Sequence, residues 1–149
     1  MATDEFEPAG GWIYIMMTSA DCNRFKLGRT TGNPMDRAKT LRTGDPKLAL
    51  EVAWFVPAKY GKLSTIEAAL HGQFAERIAF HDEGTSEWFF GEAKWASEFI
   101  ENLLEEWSRH PISDVFANAE NRVCRAYEAD LESLYGPPVR LDPESGMPW

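Results

Sequence analysis

Three residues in the first quarter of this sequence are of types that can bind and cut a phosphodiester. Tyr14 lies in a short apolar strand, Lys26 lies in a second strand that ends at a glycine, and Arg37 lies on the helix that follows. A tyrosine or a lysine can take a proton from an attacking water, and an arginine can stabilise the charge that develops on a phosphoryl group. The spacing brings the three onto one small sheet-and-helix unit, which favours phosphate chemistry.

The pair Tyr14 and Lys26 has two interpretations as the group that activates water. Tyrosine, with a pKa of about 10, is a poor base unless a nearby cation lowers that pKa, and Lys26 supplies such a cation. Lys26 is itself the base if burial lowers its own pKa. Structural alternatives stand beside both: Tyr14 packs as a strand aromatic, and Lys26 is an edge lysine that discourages strand pairing.

Glu67 and His71 lie about one turn apart on a predicted second helix, within the angular range of an apolar stripe formed by Ile66, Leu70, Phe74 and Ile78. An unpaired carboxylate directed into a core is costly, so Glu67 requires a cationic partner, Arg37 or Arg77, or a metal ion. A lone carboxylate suits Mg²⁺ or Mn²⁺, because such hard cations combine few protein oxygens with waters and phosphate oxygens. His71 either orients the carboxylate or a water, or is a satisfied core histidine.

The residues around this unit are candidates for holding nucleic acid. Arg37 lies at the edge of the first helix's apolar face. Its planar guanidinium either makes bidentate contacts with phosphate oxygens or is solvated. Arg42, at the other edge, is a candidate for contact with the DNA backbone. Gly28 allows close approach of the backbone to a phosphate or a tight exit from the strand. Arg29 and Thr30, which follow it, are expected to line the same groove.

The remaining elements must position these groups, and the pattern predicts an α+β fold. We expect a small, mainly antiparallel three-stranded sheet flanked by helices, plus a C-terminal helix and an extended tail. Strands are predicted at 12–17, 25–29 and 48–56, a polar loop at 18–24, and helices at about 34–43, 65–79, 92–109 and 113–135. The third helix carries an apolar stripe that is interpreted as core, namely Trp95, Phe99, Leu103 and Trp107. The fourth helix directs a second apolar set inward, namely Val115, Ala119, Val123, Ala126 and Leu134. The chain is predicted to divide into an acidic disordered arm at 1–10, a domain at 11–109 and a C-terminal region at 110–149.

Charge is the main objection to a nucleic-acid partner. The 149 residues carry a formal net charge of −9, whereas DNA binding usually leaves a basic footprint. Residues 24–47, however, contain seven basic residues against Asp36 and Asp45, which predicts a local basic patch on an acidic body. Cys22 and Cys124 are too far apart for a metal motif and are interpreted as free thiols in the cytoplasm. No apolar run is long enough to span a membrane.

Five short motifs occur in a characteristic order between residues 11 and 104. They are KLGRT at 26–30, Asn-Pro at 33–34, RAKTL at 37–41, EAALH at 67–71 and EWF at 87–89. Together with the WIY strand at 12–14, this order resembles the GIY-YIG endonuclease superfamily, closest to a small phage and bacterial branch. Lys26 stands where the second tripeptide usually has a tyrosine, and some superfamily nucleases also have a lysine there.

The resemblance implies a metal-dependent DNA endonuclease that hydrolyses a phosphodiester with an activated water. It implies that Glu67 holds Mg²⁺ or Mn²⁺ near the scissile phosphate, that Arg37 stabilises the transition state, and that Tyr14 and Lys26 serve the attacking water. Glu87 of EWF is the main competitor of Glu67 as the ligand. Because the four residues lie on two paired strands and two adjacent helices, Tyr14, Lys26, Arg37 and Glu67 are expected to converge on one concave surface, and a Glu67 on the far side from Tyr14 would contradict the nuclease interpretation.

Two other functions remain open at this point. One is a catalytically silent module that acts through protein–protein contact, which the acidic composition and the added C-terminal region favour, with a second copy or another protein as partner. The other is a nucleic-acid binder without catalysis. The expected partner of the nuclease is DNA, with no membrane involved.

Overall fold

One sheet organises the part of the chain that the computed structural model describes, which is residues 10–19, 21–42, 47–74, 77–80, 84–117 and 121–136. Within these ranges the sheet has seven strands: β1 Gly10–Thr18, β2 Asp21–Thr30, β3 Leu48–Pro57, β4 Arg77–Phe80, β5 Gly84–Phe90, β6 Ser113–Asp114 and β7 Cys124–Ala126. Four α-helices pack on it: α1 Pro34–Leu41, α2 Leu63–His71, α3 Ala93–Ser108 and α4 Glu128–Tyr135. The α+β class is confirmed, but the sheet is larger than the three strands expected.

The strand order is β4-β5-β2-β1-β3-β7-β6, and every pair is antiparallel except β6 with β7. The two motif strands lie at the centre, so their side chains alternate between two covered faces. The register places Tyr14 opposite Gly28 and Met16 opposite Lys26. The central hairpin therefore fixes where the candidate tyrosine and lysine lie relative to each other.

The two faces of the sheet carry separate apolar clusters. Ile13, Leu27 and Trp54 pack with α2 and α3 on one side, which we call the α2–α3 face. Tyr14 and Met16 pack with α1 and α4 on the other side, the α1–α4 face. Strand periodicity explains the division, because neighbouring residues of one strand point to opposite faces.

The predicted polar loop at 18–24 is wrong, because β2 already begins at Asp21. Thr18 pairs with Asp21 across a tight turn, and Arg24 pairs with Phe90 of β5. The Gly91 N–H also donates to the Asn23 carbonyl. Backbone partners on both sides thus hold polar residues in a strand that their composition does not favour.

The second helix is shorter than predicted. It ends at His71, where the Gly72 N–H donates to the Ala68 carbonyl, and residues 77–80 form β4 instead of a last helical turn. The apolar spacing of Phe74 and Ile78 fits a helix, but pairing with β5 supplies a strand partner that the sequence pattern alone does not reveal.

The predicted helix over 113–135 is also wrong. Its first part forms β6 and a short 3₁₀ helix, Val115–Ala117, and only Glu128–Tyr135 is α-helical. The physical reason is the free edge of β3, where Phe55 pairs with Cys124 and Ala53 with Ala126. Val123 and Ala126 are buried as expected, but β7 rather than a helix carries Ala126, whereas Ala119 lies outside the described residues.

The C-terminal part of the described chain packs on the rest of the fold. The Trp12 Nε1–H donates to the Tyr135 hydroxyl at 2.9 Å, and Leu131 of α4 is buried in the same cluster. The helix then ends at Gly136, whose φ of 89° suits glycine. Residues 1–9 of the arm predicted at 1–10 lie outside the described residues, as does the tail beyond Gly136, whereas Gly10 already belongs to β1.

Helix α3 matches the predicted position but buries a different face. Ala96, Ile100 and Leu104 face the sheet, whereas Trp95 is 52% exposed and Trp107 is 41% exposed. A shift of one residue turns a helix by about 100°, and small alanines allow close approach to the sheet. The stripe interpreted as core is therefore the flank of the buried face. No helix in the described ranges has the length and hydropathy to cross a membrane.

Candidate active site

Tyr14 is buried at the centre of the α1–α4 face, directly over Gly28. It is 1% exposed, and a β-carbon added at Gly28 would lie 2.5 Å from the Tyr14 hydroxyl oxygen. Any side chain at position 28 would therefore collide with the tyrosine. The structure gives Gly28 a role that the sequence interpretation missed: it makes room for the Tyr14 ring.

Lys26 lies on the same face as Tyr14, in the diagonal position across the hairpin. It is 7% exposed and pairs with Trp88 on β5 as well as with Met16 on β1. The alternative of an exposed edge lysine is therefore wrong. Trp88 carries the guanidinium of Arg24 at 4.8 Å from its ring centre, so this end of β2 holds two basic residues.

Glu67 is the centre of a second group, on the α2–α3 face. Arg29 Nε donates to Glu67 Oε1 at 2.8 Å, and His71 Nε2 lies 3.5 Å from Oε2. The side chain of Glu67 is only 12% exposed, whereas that of Arg29 is 46% exposed. The expected ion pair is present, but its partner is Arg29 rather than Arg37, and the side chain of Arg77 lies outside the described part of the structure.

His71 connects this carboxylate to strand β2. Its Nε2 lies 3.1 Å from the Leu27 carbonyl oxygen, closer than it lies to Glu67 Oε2. Because both oxygens are acceptors, Nε2 carries the hydrogen and donates mainly to Leu27. Glu67 Oε2 itself is buried and has no hydrogen-bond partner in the described structure. The ring of His71 also meets Phe89 of the EWF motif edge to face at 5.1 Å.

Two effects act in opposite directions on the pKa of Glu67. Burial raises the pKa, because the charged form loses water. Interactions with His71 and with the Arg29 guanidinium lower it, and together they bring the pKa below its ordinary value of 4.5. The carboxylate is therefore charged at neutral pH, with the Arg29 guanidinium bound to one of its oxygens.

The other expected nucleic-acid residues lie around the end of β2 and along α1. Arg37 is exposed on α1, beside the α1–α4 face. Arg42 donates Nε to the Leu48 carbonyl at 2.8 Å and so connects α1 to β3. The Thr30 hydroxyl accepts from the Gly32 N–H and shapes the turn into α1. Asn33 begins that helix as predicted, because its side chain accepts from the Met35 N–H.

The expectation that the four residues converge on one concave surface is therefore wrong, because they are divided between two faces of the sheet. Tyr14, Lys26 and α1 with Arg37 belong to one face, and Glu67 with His71 belongs to the other. The two groups come nearest at Gly28 and Arg29, because Tyr14 lies over the first and Glu67 binds the second. Among the described residues β5 pairs with β2 only as far as Lys26, so this edge carries no neighbouring strand.

The donor set at this edge fits one hard cation held by a single carboxylate. The described residues contain no group of three or more His, Cys, Asp or Glu side chains that could hold a metal, so a tight protein cage is absent there. Glu67 Oε2 is a buried oxygen without a hydrogen-bond partner, and Mg²⁺ commonly combines one carboxylate with waters and substrate oxygens. Arg29 covers the other oxygen, so a cation fits once Arg29 moves.

A second glutamate–arginine pair, absent from the sequence interpretation, lies on the same face. Glu101 accepts from Trp54 Nε1 at 2.9 Å and from Arg125 Nη1 at 2.5 Å, beside a cleft of about 630 Å³ between α3, β3 and β7. The pair depends on β7, which the sequence pattern assigns to a helix. No local signal reveals it.

One comparison with known proteins finds a family that covers most of the described chain. A family model described as the T5orf172 domain matches residues 11–108, more than half of the chain. No curated protein and no solved structure matches the chain significantly. The T5orf172 domain is a phage-associated domain in a nuclease-related group. The matched span contains Tyr14, Lys26, Arg37 and Glu67, and the chain belongs to the T5orf172 domain family.

Proposed function

We propose that this protein is a divalent-metal-dependent DNA endonuclease of the GIY-YIG type. The observation that carries the proposal is the Glu67 carboxylate, which is buried, charged and has one oxygen without a hydrogen-bond partner beside an open strand edge. A buried acceptor of this kind is rare unless it serves a ligand or a reaction. Membership of a nuclease-related family supports the same conclusion.

The proposed substrate position is the open edge of β2, at Gly28 and Arg29. A phosphodiester placed along this edge can be reached from both faces, because Tyr14 covers Gly28 on one side and Glu67 binds Arg29 on the other. In this proposal the split of the site between two faces is functional. The strand passes between the groups that serve the attacking water and the group that holds the cation.

The proposed roles follow from the environment of each side chain. Glu67 holds Mg²⁺ or Mn²⁺, which when bound polarises the phosphate and stabilises the leaving oxygen. His71 fixes the helix end to β2 through the Leu27 carbonyl and thereby orients Glu67. Tyr14 and Lys26, both buried on one face, are proposed to serve the attacking water, with one of the two as the base that takes its proton.

Arginines supply the remaining charge in the proposed mechanism. Arg37 is exposed on α1 and free to reach a phosphoryl oxygen, where its fork stabilises the developing charge. Arg29, Thr30 and Arg42 are proposed to contact the DNA backbone. Because such contacts release counterions, duplex binding should weaken steeply as salt concentration rises, despite the net charge of −9.

A plasmid-nicking assay tests the proposal. The wild-type chain with Mg²⁺ or Mn²⁺ should convert supercoiled plasmid to nicked or linear forms, and a chelator should stop the reaction. Glu67→Gln should leave the plasmid intact while the thermal unfolding curve stays cooperative. The matched control is Glu98→Gln, which changes an exposed glutamate on α3 and should cleave like the wild type. An intact plasmid with wild type and every divalent metal tried would overturn the proposal.

The second candidate is a noncatalytic module that binds a protein partner. It is favoured by the exposed aromatic side chains of Phe90 and Trp95, because large apolar groups in water often mark interaction sites. The closed Arg29–Glu67 ion pair is also what a purely structural site would contain. This function would be favoured if the plasmid is not cleaved in the assay above and the chain forms a stable complex with a protein partner in gel filtration.

A further inference from the structure

We propose that Arg29 is a latch that keeps a divalent cation off Glu67 until a substrate phosphate draws the arginine away. The inference rests on the proposed function and goes beyond it, because it makes cation binding depend on nucleic acid. It assigns Arg29 a regulatory role at the site rather than only a contact with the DNA backbone.

The closed state of the carboxylate carries the first step of the argument. Glu67 Oε1 accepts from Arg29 Nε at 2.8 Å, and Oε2 is buried away from solvent. Neither oxygen is open to a cation in this conformation. A guanidinium in contact with the carboxylate also repels a divalent ion. Cation binding therefore requires that Arg29 leaves.

The second step concerns which side chain can move. Arg29 is 46% exposed, whereas Glu67 is 12% and His71 is 11% exposed. His71 is held by the Leu27 carbonyl and by the ring of Phe89. Arg29 is thus the most exposed member of the group, and it lies on β2 beyond Lys26, where a backbone phosphate is proposed to lie.

The third step is the competition between two anions for one arginine. A guanidinium binds phosphate oxygens in the same forked geometry in which it binds a carboxylate. A phosphate at the edge of β2 can therefore take Arg29 from Glu67 and leave the carboxylate free. Cation and duplex should then bind cooperatively, and by linkage each should raise the affinity of the other by the same factor.

Metal binding without DNA is the direct test. We expect Arg29→Met to bind Mn²⁺ about tenfold more tightly than the wild type, as measured by the electron paramagnetic resonance signal of the free ion. Arg29→Met with Glu67→Gln should lose this gain. Lys94→Met, which removes an exposed charge on α3 beside the Glu101 cleft, is the matched control and should bind like the wild type. Equal affinity in wild type and a folded Arg29→Met variant would overturn the latch.

A second measurement uses the wild-type chain and does not depend on the variant folding. The Arg29 Nε–H resonance should shift on addition of a short duplex alone, as the Glu67 hydrogen bond is lost. An unchanged resonance with bound duplex would contradict the latch. The plasmid assay separates this outcome from failure of the nuclease proposal: a wild type that cleaves with an immobile Arg29 disproves the latch alone. If the Arg29 resonance shifts with duplex and Arg29→Met binds Mn²⁺ more tightly, but the wild type does not cleave, only the nuclease proposal is disproved.

Discussion

Two partly buried glutamate–arginine pairs on the same face of the sheet have the same residue types but different hydrogen bonding. Both oxygens of Glu101 are satisfied, one by Trp54 and the other by Arg125. Glu67 has one oxygen bound by Arg29 and one without a hydrogen-bond partner in the described structure. The first pair connects α3 to β3 and β7, whereas the second lies at an unpaired strand edge.

The comparison shows why the presence of an ion pair does not by itself identify a function. A carboxylate whose acceptors are all used can only stabilise the fold, because a new ligand would have to displace buried partners. A carboxylate whose one protein hydrogen bond comes from a half-exposed arginine can accept a cation once that arginine moves. We therefore interpret Glu101–Arg125 as a structural pair and Glu67–Arg29 as the pair in which the glutamate can exchange the arginine for a cation.

The largest expected effect separates the two pairs by function and stability. Glu67→Gln should reduce metal-dependent cleavage by about 10³-fold or more, because the ligand charge is lost. Glu101→Gln should leave cleavage nearly unchanged but lower the free energy of unfolding by about 1–3 kcal/mol, as expected for weakened bonds to a charged group. Cleavage rates and urea unfolding of both variants check this. Equal loss of cleavage in the two variants would end the distinction.

A smaller effect is expected from the exposed arginine on the opposite face. Arg37→Ala should slow cleavage by about 10²-fold, which is typical of losing one contact to transition-state charge. Stability should stay unchanged, because Arg37 is exposed and Ala38 next to it carries the packing. Lys59→Ala, also exposed, is the control. A rate within twofold or so of the control would remove Arg37 from the chemistry.

Packing on the Tyr14 face gives the third prediction. Gly28→Ala should lower the free energy of unfolding by about 1–3 kcal/mol, because the new methyl group collides with the Tyr14 ring. Gly32→Ala is a matched control in the next turn, where the nearest atom is 3.8 Å from an added β-carbon. Thermal unfolding of the two variants checks the difference. Equal stability would show that the Tyr14 ring is free to move.

The smallest expected effect is the loss, at acidic pH, of the stability that the Glu67 charge contributes. The pKa of Glu67 is lowered in the folded state, so the unfolded chain binds its proton first as pH falls. The stabilisation is complete above the ordinary value of 4.5 and is lost as pH falls through the lower folded pKa. The stability difference between wild type and Glu67→Gln should therefore shrink in this acid range. A difference independent of pH would mean that Arg29 and His71 do not stabilise the charge.

The sequence predicts the apolar parts of the two central strands and the start of the first helix well, because their signals are local, but it misses the first four residues of β2. Strand periodicity gives the apolar residues of β1, and Asn33 with Pro34 gives the start of α1. The same periodicity could have identified the partner of Glu67. Arg29 alternates with Leu27 and Phe25 and so points to the α2–α3 face, whereas Arg37 belongs to a helix on the other face.

The errors arise where pairing with another strand decides the local structure. Residues 77–80 and 124–126 have apolar spacing that suits a helix, yet the first segment pairs with β5, the next strand along the chain, and the second pairs with β3, which is distant in sequence. The stripe of Trp95 and Trp107 fails for a related reason, because alanines on the adjacent face fit the sheet more closely. The unsatisfied oxygen of Glu67 also depends on tertiary contacts, so the motif EAALH alone cannot indicate it.

A crystal structure with Mn²⁺ and a short duplex tests the central claim most directly, because anomalous scattering locates the ion. We predict a Mn²⁺ peak about 2.0–2.2 Å from a Glu67 carboxylate oxygen, with the Arg29 guanidinium moved onto a backbone phosphate. The Glu101–Arg125 pair should remain unchanged in the same crystal. A Mn²⁺ ion bound elsewhere, with Arg29 still on Glu67 beside a bound duplex, would contradict the account.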